Sequence, residues 1–408
     1  MADSKTFEYA VRDRAGKIVK GRIEATNQAA VANRLKSMGM APMSISEVTN
    51  TGMSREITIP GFGPKVTLKD LAIMARQLAT MISAGLSLLR ALAILAEQTE
   101  SKPLAKTLAQ VRNDVETGVS FSAALSKHAD VFPPIMINMV KAGEVGGFLD
   151  QVLVSVAENF ESEVKLRGKI KSAMTYPVVV FVIAILATFG MLLFIVPIFA
   201  GLFSSLGGTL PLPTRILMFL SAVVKWTIGP LIVALIAFSA WWRKHKNDLA
   251  VREFTDPKKL KTPVFGKLFQ KIAVSRFTRN FGTMIHAGVP ILQALDIVGE
   301  TSGNLVVERA AKAVGESVRR GESLTGPLSQ HPVFPPMVVQ MMAVGEDTGA
   351  LDTMLEKIAV FYDQEVEATT EALTSLIEPL MIVVIGSIIG SMIIAMYMPI
   401  FSIFDLIK

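Results

Sequence analysis

The sequence predicts a mainly α, polytopic membrane protein. It has three transmembrane helices, two homologous cytoplasmic six-helix bundles and a small N-terminal α/β cap. Three observations carry this prediction. Apolar stretches occur at 176–199, 216–242 and 377–404, interrupted by no charge except Lys225 and Glu378, each long enough to cross ~30 Å of hydrocarbon. Two blocks of the chain repeat at an offset of 202–203 residues. Helical periodicity and helix-end signals fill the rest, except for the first 50 residues.

In that first segment, FEYAVRD and KIVKGRIEA alternate as strands around Ala15-Gly16. NQAAVANRLKSMG reads as a short amphipathic helix closed by Gly39, and MSISEV as a third strand. Residues 1–50 are therefore a small α/β domain, and the Gly/Pro-rich 51–66 a linker. The opening residues MADSKTFEYAVRDR are polar. No cleavable signal peptide is expected, and the N-terminus is expected in the cytoplasm.

Residues 67–175 form the first repeat. Thr67 and Asp70 make a T-x-x-D helix start. Leu71, Met74, Leu78 and Met81 share one face of the helix that follows. Gly85 and Gly118 end helices, Ser120 caps a short one, and Pro133-Pro134 opens a fifth, ending near Gly143. A sixth begins near Gly147, with Phe148, Val152, Val156 and Phe160 at four-residue intervals, and runs towards Pro177. This segment has no 18-residue apolar run, so it is expected to be a soluble bundle on its own.

The second repeat occupies 243–376. RQLATMISAGLSLLRALAIL (76–95) matches RNFGTMIHAGVPILQALDIV (279–298) at 10 of 20 positions. Residues 132–164 match 334–366 at 13 of 33, where about two would agree by composition alone. The spans repeat too: Pro177 aligns with Pro379 and Pro197 with Pro399, so each copy has Pro at the membrane entry and near the exit. The second span has no counterpart and returns the chain to the first side. The two copies can pack as a pseudo-twofold pair, or both can serve as interfaces in an oligomer.

Orientation follows from the basic residues. Lys165, Arg167, Lys169 and Lys171 precede the first span, and Arg243, Lys244 and Lys246 follow the second. The connecting loop 200–215 holds only Arg215. Both bundles are therefore cytoplasmic and that loop faces outward. Lys225 interrupts the second span, either snorkelling to the outer interface or serving as a functional intramembrane charge.

Composition excludes several kinds of chemistry. There is no cysteine, hence no disulfide scaffold, thiolate zinc site or cysteine nucleophile. Four histidines make a histidine-rich metal site improbable. The net charge of +6 needs no nucleic acid to explain it. No G-x-x-x-x-G-K-[ST], G-x-S-x-G or H-E-x-x-H is present. No catalytic residue, cofactor or metal is expected. His128 and His331 each precede Phe-Pro-Pro, where capping or packing competes with a metal or proton-relay role. A channel or transporter would need polar groups within the spans, and an intramembrane peptidase would need aspartates there; the spans offer neither beyond Lys225 and Glu378.

The most pointed constellation is Gly-Glu-x-x-Gly-x-Leu-Asp, present in both copies as Gly143, Glu144, Gly147, Asp150 and Gly345, Glu346, Gly349, Asp352. It reads as a helix end, a tight turn with positive φ at Gly143 and Gly345, and a new helix with acids near its N-terminus. A structural corner, a partner-docking corner and a divalent cation site remain open.

Taken together, these residues resemble a known family. The opening carries Phe7, Tyr9, Ala10, Gly16, Gly21, Ile23 and Ala25 in an F-x-Y-x-A…G…G-x-I-x-A pattern. The duplicated S/H-A-G-x-x-x-L-x-A-L, F-P-P and G-E-x-x-G-x-L-D elements follow in order. The chain resembles the inner-membrane platform proteins of type IV pili and the F proteins of type II secretion. The resemblance implies a multi-pass inner-membrane assembly platform, not an enzyme. It implies partners as well: a cytoplasmic hexameric ATPase for extension and, where one exists, another for retraction, pilin or pseudopilin subunits, other inner-membrane assembly proteins, and further copies of itself.

Overall fold

The structure is a computed structural model that describes residues 5–12, 18–25, 30–32, 35, 41–47, 65–205 and 211–406. The chain divides into two compact units, Met1–Pro64 and Lys65–Lys408.

In the first unit, β1 (Lys5–Arg12), β2 (Ile18–Ala25) and β3 (Ala41–Glu47) form an antiparallel sheet of order β2-β1-β3. Phe7 pairs with Ile23 and Tyr9 with Gly21, and the β1–β3 register shifts at Ala10/Val11. Residues 30–32 and 35 are helical, with Val31 and Leu35, one turn apart, fully buried. The expected Ala15-Gly16 turn, Gly39 and nearly all of the linker lie outside the described residues.

The first repeat of the second unit is α1 (Leu68–Ser83), α2 (Leu88–Gln98), α3 (Lys102–Glu116), α4 (Phe121–Ser126), α5 (Pro134–Gly146) and α6 (Leu149–Gly190). The helix-end chemistry is local. The Asp70 carboxylate accepts from Thr67 N–H at 2.9 Å, and the Thr67 hydroxyl accepts from Asp70 N–H at 3.2 Å, a reciprocal capping box. Gly85 (φ 86°) and Gly118 (φ 94°) take the left-handed conformation that lets α1 and α3 stop. Pro134 opens α5 with a ring that needs no hydrogen-bond donor.

α6 does not stop at the membrane. It continues through a π-helical turn (Met191–Ile195) into α7 (Val196–Ser205). α8 (Leu212–His245) follows, beginning four residues before the expected 216, with Pro213 in its first turn. The expected 200–215 loop is therefore helical at both ends, on α7 to Ser205 and on α8 from Leu212, which carries Arg215; residues 206–210 lie outside the described residues. Lys225 is an exposed residue of that helix.

The second repeat is α10 (Phe265–His286), α11 (Ile291–Thr301), α12 (Leu305–Arg319), α13 (Thr325–Ser329), α14 (Pro336–Thr348) and α15 (Leu351–Leu406). Its 56-residue last helix is roughly 84 Å long at 1.5 Å per residue. Only about 30 Å of that is needed to cross hydrocarbon, so bundle and span form one rod. Ahead of this repeat stands α9 (Leu249–Lys261); nearly all the corresponding positions ahead of the first repeat lie outside the described residues. The region between the second and third spans thus begins with one helix more than the expected six-helix bundle, seven among the described residues. Pro257 and six charged residues disguise α9 in the sequence. It is fixed by Asp256, which is 2% exposed and accepts from Leu305 N–H at 3.0 Å. Arg252 and Lys259 pair with the same carboxylate at 3.7 and 2.9 Å.

The two repeats share one apolar core, in which Phe121, Phe132, Phe277 and Phe281 are fully buried. α5 packs on α10 and α11, and α6 packs on α10 and α15. The reciprocal contact, α14 and α15 on α1 and α2, is not comparably formed. The packing is therefore head-to-tail and not the expected pseudo-twofold pair.

In the membrane layer, Leu192, Val196, Leu217, Met392 and Ala395 are packed together. The Thr214 hydroxyl donates to the Ala395 carbonyl and the Ser221 hydroxyl to the Leu192 carbonyl, both at 2.6 Å. Apolar surroundings give such groups no other partner, so they lock α8 onto its neighbours. Outward side chains such as Leu186, Ile198, Val233 and Ile382 are exposed apolar surface suited to lipid.

Candidate functional site: the repeated corners and the cleft between repeats

The corner sequence folds as one unit in each copy. Helix α5 runs three residues past Gly143, and α14 three past Gly345. The left-handed cap falls on Gly147 (φ 76°) and Gly349 (φ 70°), which corrects the expectation for Gly143 and Gly345. The first glycine of each motif serves close approach instead. A Cβ on Gly143 would lie 2.9 Å from Val152 Cγ2 and 3.1 Å from Leu149 Cα. One on Gly345 would lie 3.0 Å from Leu351 Cα and 3.1 Å from Met354. Glycine there lets the returning helix cross directly against the helix it has just left.

The repeated glutamates point inward. Glu144 accepts from Phe121 N–H at 2.5 Å, Ser122 N–H at 3.0 Å and the Ser122 hydroxyl at 2.5 Å. Glu346 accepts from Leu324 N–H at 2.8 Å. Each carboxylate thus satisfies donors at the start of the short helix preceding its own, α4 or α13. Glu144 and Glu346 therefore end the first helix of the corner, not begin the second. The aspartates differ between copies. Asp150 is exposed in the first turn of α6. Asp352 is half-buried, with its carboxylate 3.2 Å from His286 Nδ1.

A polar cleft of about 390 Å³ lies between the repeats, where α6 crosses α10 and α15. Glu158, Arg279, His286, Asp352 and Glu356 line it. Buried Asn159 donates to Asn280 at 3.1 Å and Thr283 at 3.4 Å, and Glu163 pairs with Arg276 at 2.7 Å. At the membrane end, Lys169 pairs with Glu367. Of these groups only His286 and Asp352 stand in the repeated motifs; the signal for the rest is an asparagine on the apolar stripe of α6. His128 and His331 sit in the turns before Pro133 and Pro335, where Phe132 N–H and Phe334 N–H reach their carbonyls. Among the described residues, no group of three or more His, Asp or Glu side chains is placed to hold a metal ion.

The Asp352 carboxyl is held below the usual aspartate range, first by its hydrogen bond to His286 and then by the Thr353 backbone. A depressed carboxylate stabilises the fold above the unfolded value of about 3.9, and that contribution disappears as pH falls through the folded value. Asp352→Asn is therefore expected to lower the melting temperature at pH 7, with a difference that shrinks as pH falls below about 3.9. A difference that persists unchanged at pH 3 would rule out the ionised group as the cause.

Pro177 and Pro379 lie inside α6 and α15 at the membrane entry, and Pro399 inside α15. Pro197 is the second residue of α7, directly after the π-helical turn. The wider turn accommodates a ring that would otherwise strike the carbonyl four residues back.

The repeat boundaries recur in a comparison with known families. A family model described as type II secretion system (T2SS), protein F, matches residues 74–197 and again 277–399. A second, for the N-terminal domain of the same protein, matches residues 1–46. The chain belongs to the type II secretion system protein F family. Both halves of its repeat carry the family's own domain, which runs from the first bundle helix to the second membrane proline. Relatives include a type IV pilus assembly protein PilC of Thermus thermophilus, 45% identical over 97% of this chain and 98% of that protein. A protein of the same description from Myxococcus xanthus is 42% identical over 97% of this chain and 94% of its own. A type II secretion system protein F of Vibrio cholerae is 33% identical over 97% of both. With three helices long and apolar enough to span, this family member is a multi-pass membrane protein.

Proposed function

We propose that the chain is the inner-membrane assembly platform of a type IV pilus machine. It couples a cytoplasmic hexameric ATPase to the insertion and extraction of pilin subunits. The observation that carries this reading is helical continuity from each bundle corner through the apolar span: α15 runs as one helix, and α6 continues through the π-helical turn into α7. A push on either bundle is transmitted along a helix that stays continuous past Pro177 or Pro379, the positions at the membrane entry where such a rod can bend. Basic residues flanking the spans support a cytoplasmic position for both bundles, on the side of the ATPase. The first bundle receives the extension ATPase and the second the retraction ATPase. The exposed corner residues Val145 and Asp150 lie on the docking surface of the first. A second reading, the F platform of a type II secretion system handling pseudopilins, is supported by the Vibrio cholerae relative. The pilus reading takes precedence because the Thermus thermophilus and Myxococcus xanthus pilus relatives are 45% and 42% identical, against 33% for that secretion relative.

The test is a pull-down of the detergent-solubilised full chain with the organism's secretion-type ATPases, with and without ATP. The expected result is retention of a pilus ATPase and no nucleotide hydrolysis by the chain alone, which carries no P-loop. Failure to retain any such ATPase, or hydrolysis abolished by a point change in this chain, would overturn the reading.

A further inference from the structure

The contact between the repeats uses a different face of each. Repeat one contributes α5 and α6; repeat two contributes α10 and α11, with α15 alongside. Because the repeats are homologous, each also owns a copy of the face that it does not use internally. Those two unused faces are the α1/α2 face of repeat one and the α14/α15 face of repeat two.

Burial follows this division position by position. Arg276, Asn280 and Gln293 are covered to some degree by repeat one, whereas their equivalents Ile73, Gln77 and Arg90 are exposed. On the other side Asn159 is 7% exposed, and its equivalent Phe361 is 43% exposed. Asn138 accepts from Gln293 at 3.1 Å inside the chain, while its equivalent Gln340 is exposed. The open positions have also gained large apolar residues: Phe361 stands for Asn159, Ile73 (49% exposed) for Arg276, and Val344 (48% exposed) for Ala142. These three lie in the bundles, outside the membrane-spanning segments.

We propose that a second copy of the chain docks head-to-tail through these faces. The α14/α15 face of one copy covers the α1/α2 face of the next, repeating between chains the contact already made within one. Phe361 then lies over Gln77 and Thr80, one turn from Ile73, and Gln340 lies beside Arg90. The internal contact supplies the geometry. It also keeps α6 and α15 parallel: Leu166 clusters with Val366 and Leu373 at one end, and Leu192 with Met392 and Ala395 at the other. A relation that leaves two membrane rods parallel has its axis along the membrane normal. Repetition of it keeps every copy inserted in the same sense, and a heterologous contact of this kind forms a ring if its rotation closes and an open array if it does not. This goes beyond the platform reading and does not depend on which ATPase docks.

The chain has no cysteine, so single thiols report cleanly. Full chains carrying Arg90→Cys and, separately, Gln340→Cys, with different tags, are mixed in membranes and treated with a short bismaleimide. The expected result is a cross-linked dimer holding one chain of each kind, neither variant cross-linking to itself, and a ladder when both thiols are on one chain. Adding Phe361→Asp to the Gln340→Cys chain, or Ile73→Asp to the Arg90→Cys chain, should reduce the mixed dimer at least tenfold. Absence of the mixed dimer, or self-cross-linking of either single variant as efficient as the mixture, would overturn the proposal.

Discussion

Gly143→Val and Gly345→Val each lower the thermal stability of the chain and remove surface pili from cells that carry the mutant at normal levels. Both glycines are helical, so valine gains a few tenths of a kcal/mol in helix propensity. That gain is outweighed. The first added carbon already sits 2.9–3.1 Å from the following helix, and in both copies one of the atoms met is backbone. Forcing a branched side chain into such a contact costs about 1–3 kcal/mol. The corner must open, and it is the corner from which the membrane rod departs. Lys106→Ala, on an exposed face of α3, is the control and should stay within about 0.5 kcal/mol of wild type. Melting curves in detergent and a count of surface pili check both halves. Wild-type stability in both valine variants would show that the two helices do not need this approach.

Glu144→Ala is expected to destabilise more than Glu346→Ala, although the two glutamates are repeat equivalents. Glu144 accepts three hydrogen bonds from Phe121 and Ser122, and Glu346 accepts one from Leu324. Removing a charged acceptor from partly buried donors costs about 1.5–3 kcal/mol for the first bond lost, with less for each donor that water can reach. A loss of about 2–4 kcal/mol at 144 and about 1–2 kcal/mol at 346 is the expected pattern. Glu144→Gln should recover part of it, since its carbonyl still accepts. Equal losses at the two positions, measured by denaturant melts of the full chain, would contradict the bonding seen here.

The division between what the sequence revealed and what it concealed has a physical basis. Helix starts such as Thr67/Asp70 and stops such as Gly85 depend on residues within one turn, and a linear reading captures them. The spans and the repeat were legible because hydropathy and identity are summed over many residues. The corner glycines were assigned in the wrong order because Gly143, Gly146 and Gly147 are all candidates for the left-handed position. The winner depends on where α5 meets α6, not on the glycines themselves. Glu144 was read at a helix start because its true partners lie 22 and 23 residues upstream. The inter-repeat cleft joins groups more than 100 residues apart, such as Asn159 and Asn280, and no spacing rule links them. Helix α9 was hidden by Pro257 and its charges, and only its docking on α12 through Asp256 explains it.

The central claim is that unbroken helices carry motion from the cytoplasmic bundles into the membrane. The most direct measurement inserts two glycines after Ser172 in α6, between the bundle and the first span, and scores pilus assembly alongside ATPase retention. Glycine in a helix interior costs roughly 1 kcal/mol relative to alanine and makes a flexible joint. The account predicts that the ATPase is still retained by the intact bundle, while pili are lost because the rod is cut. Normal piliation in cells carrying the jointed helix would contradict it.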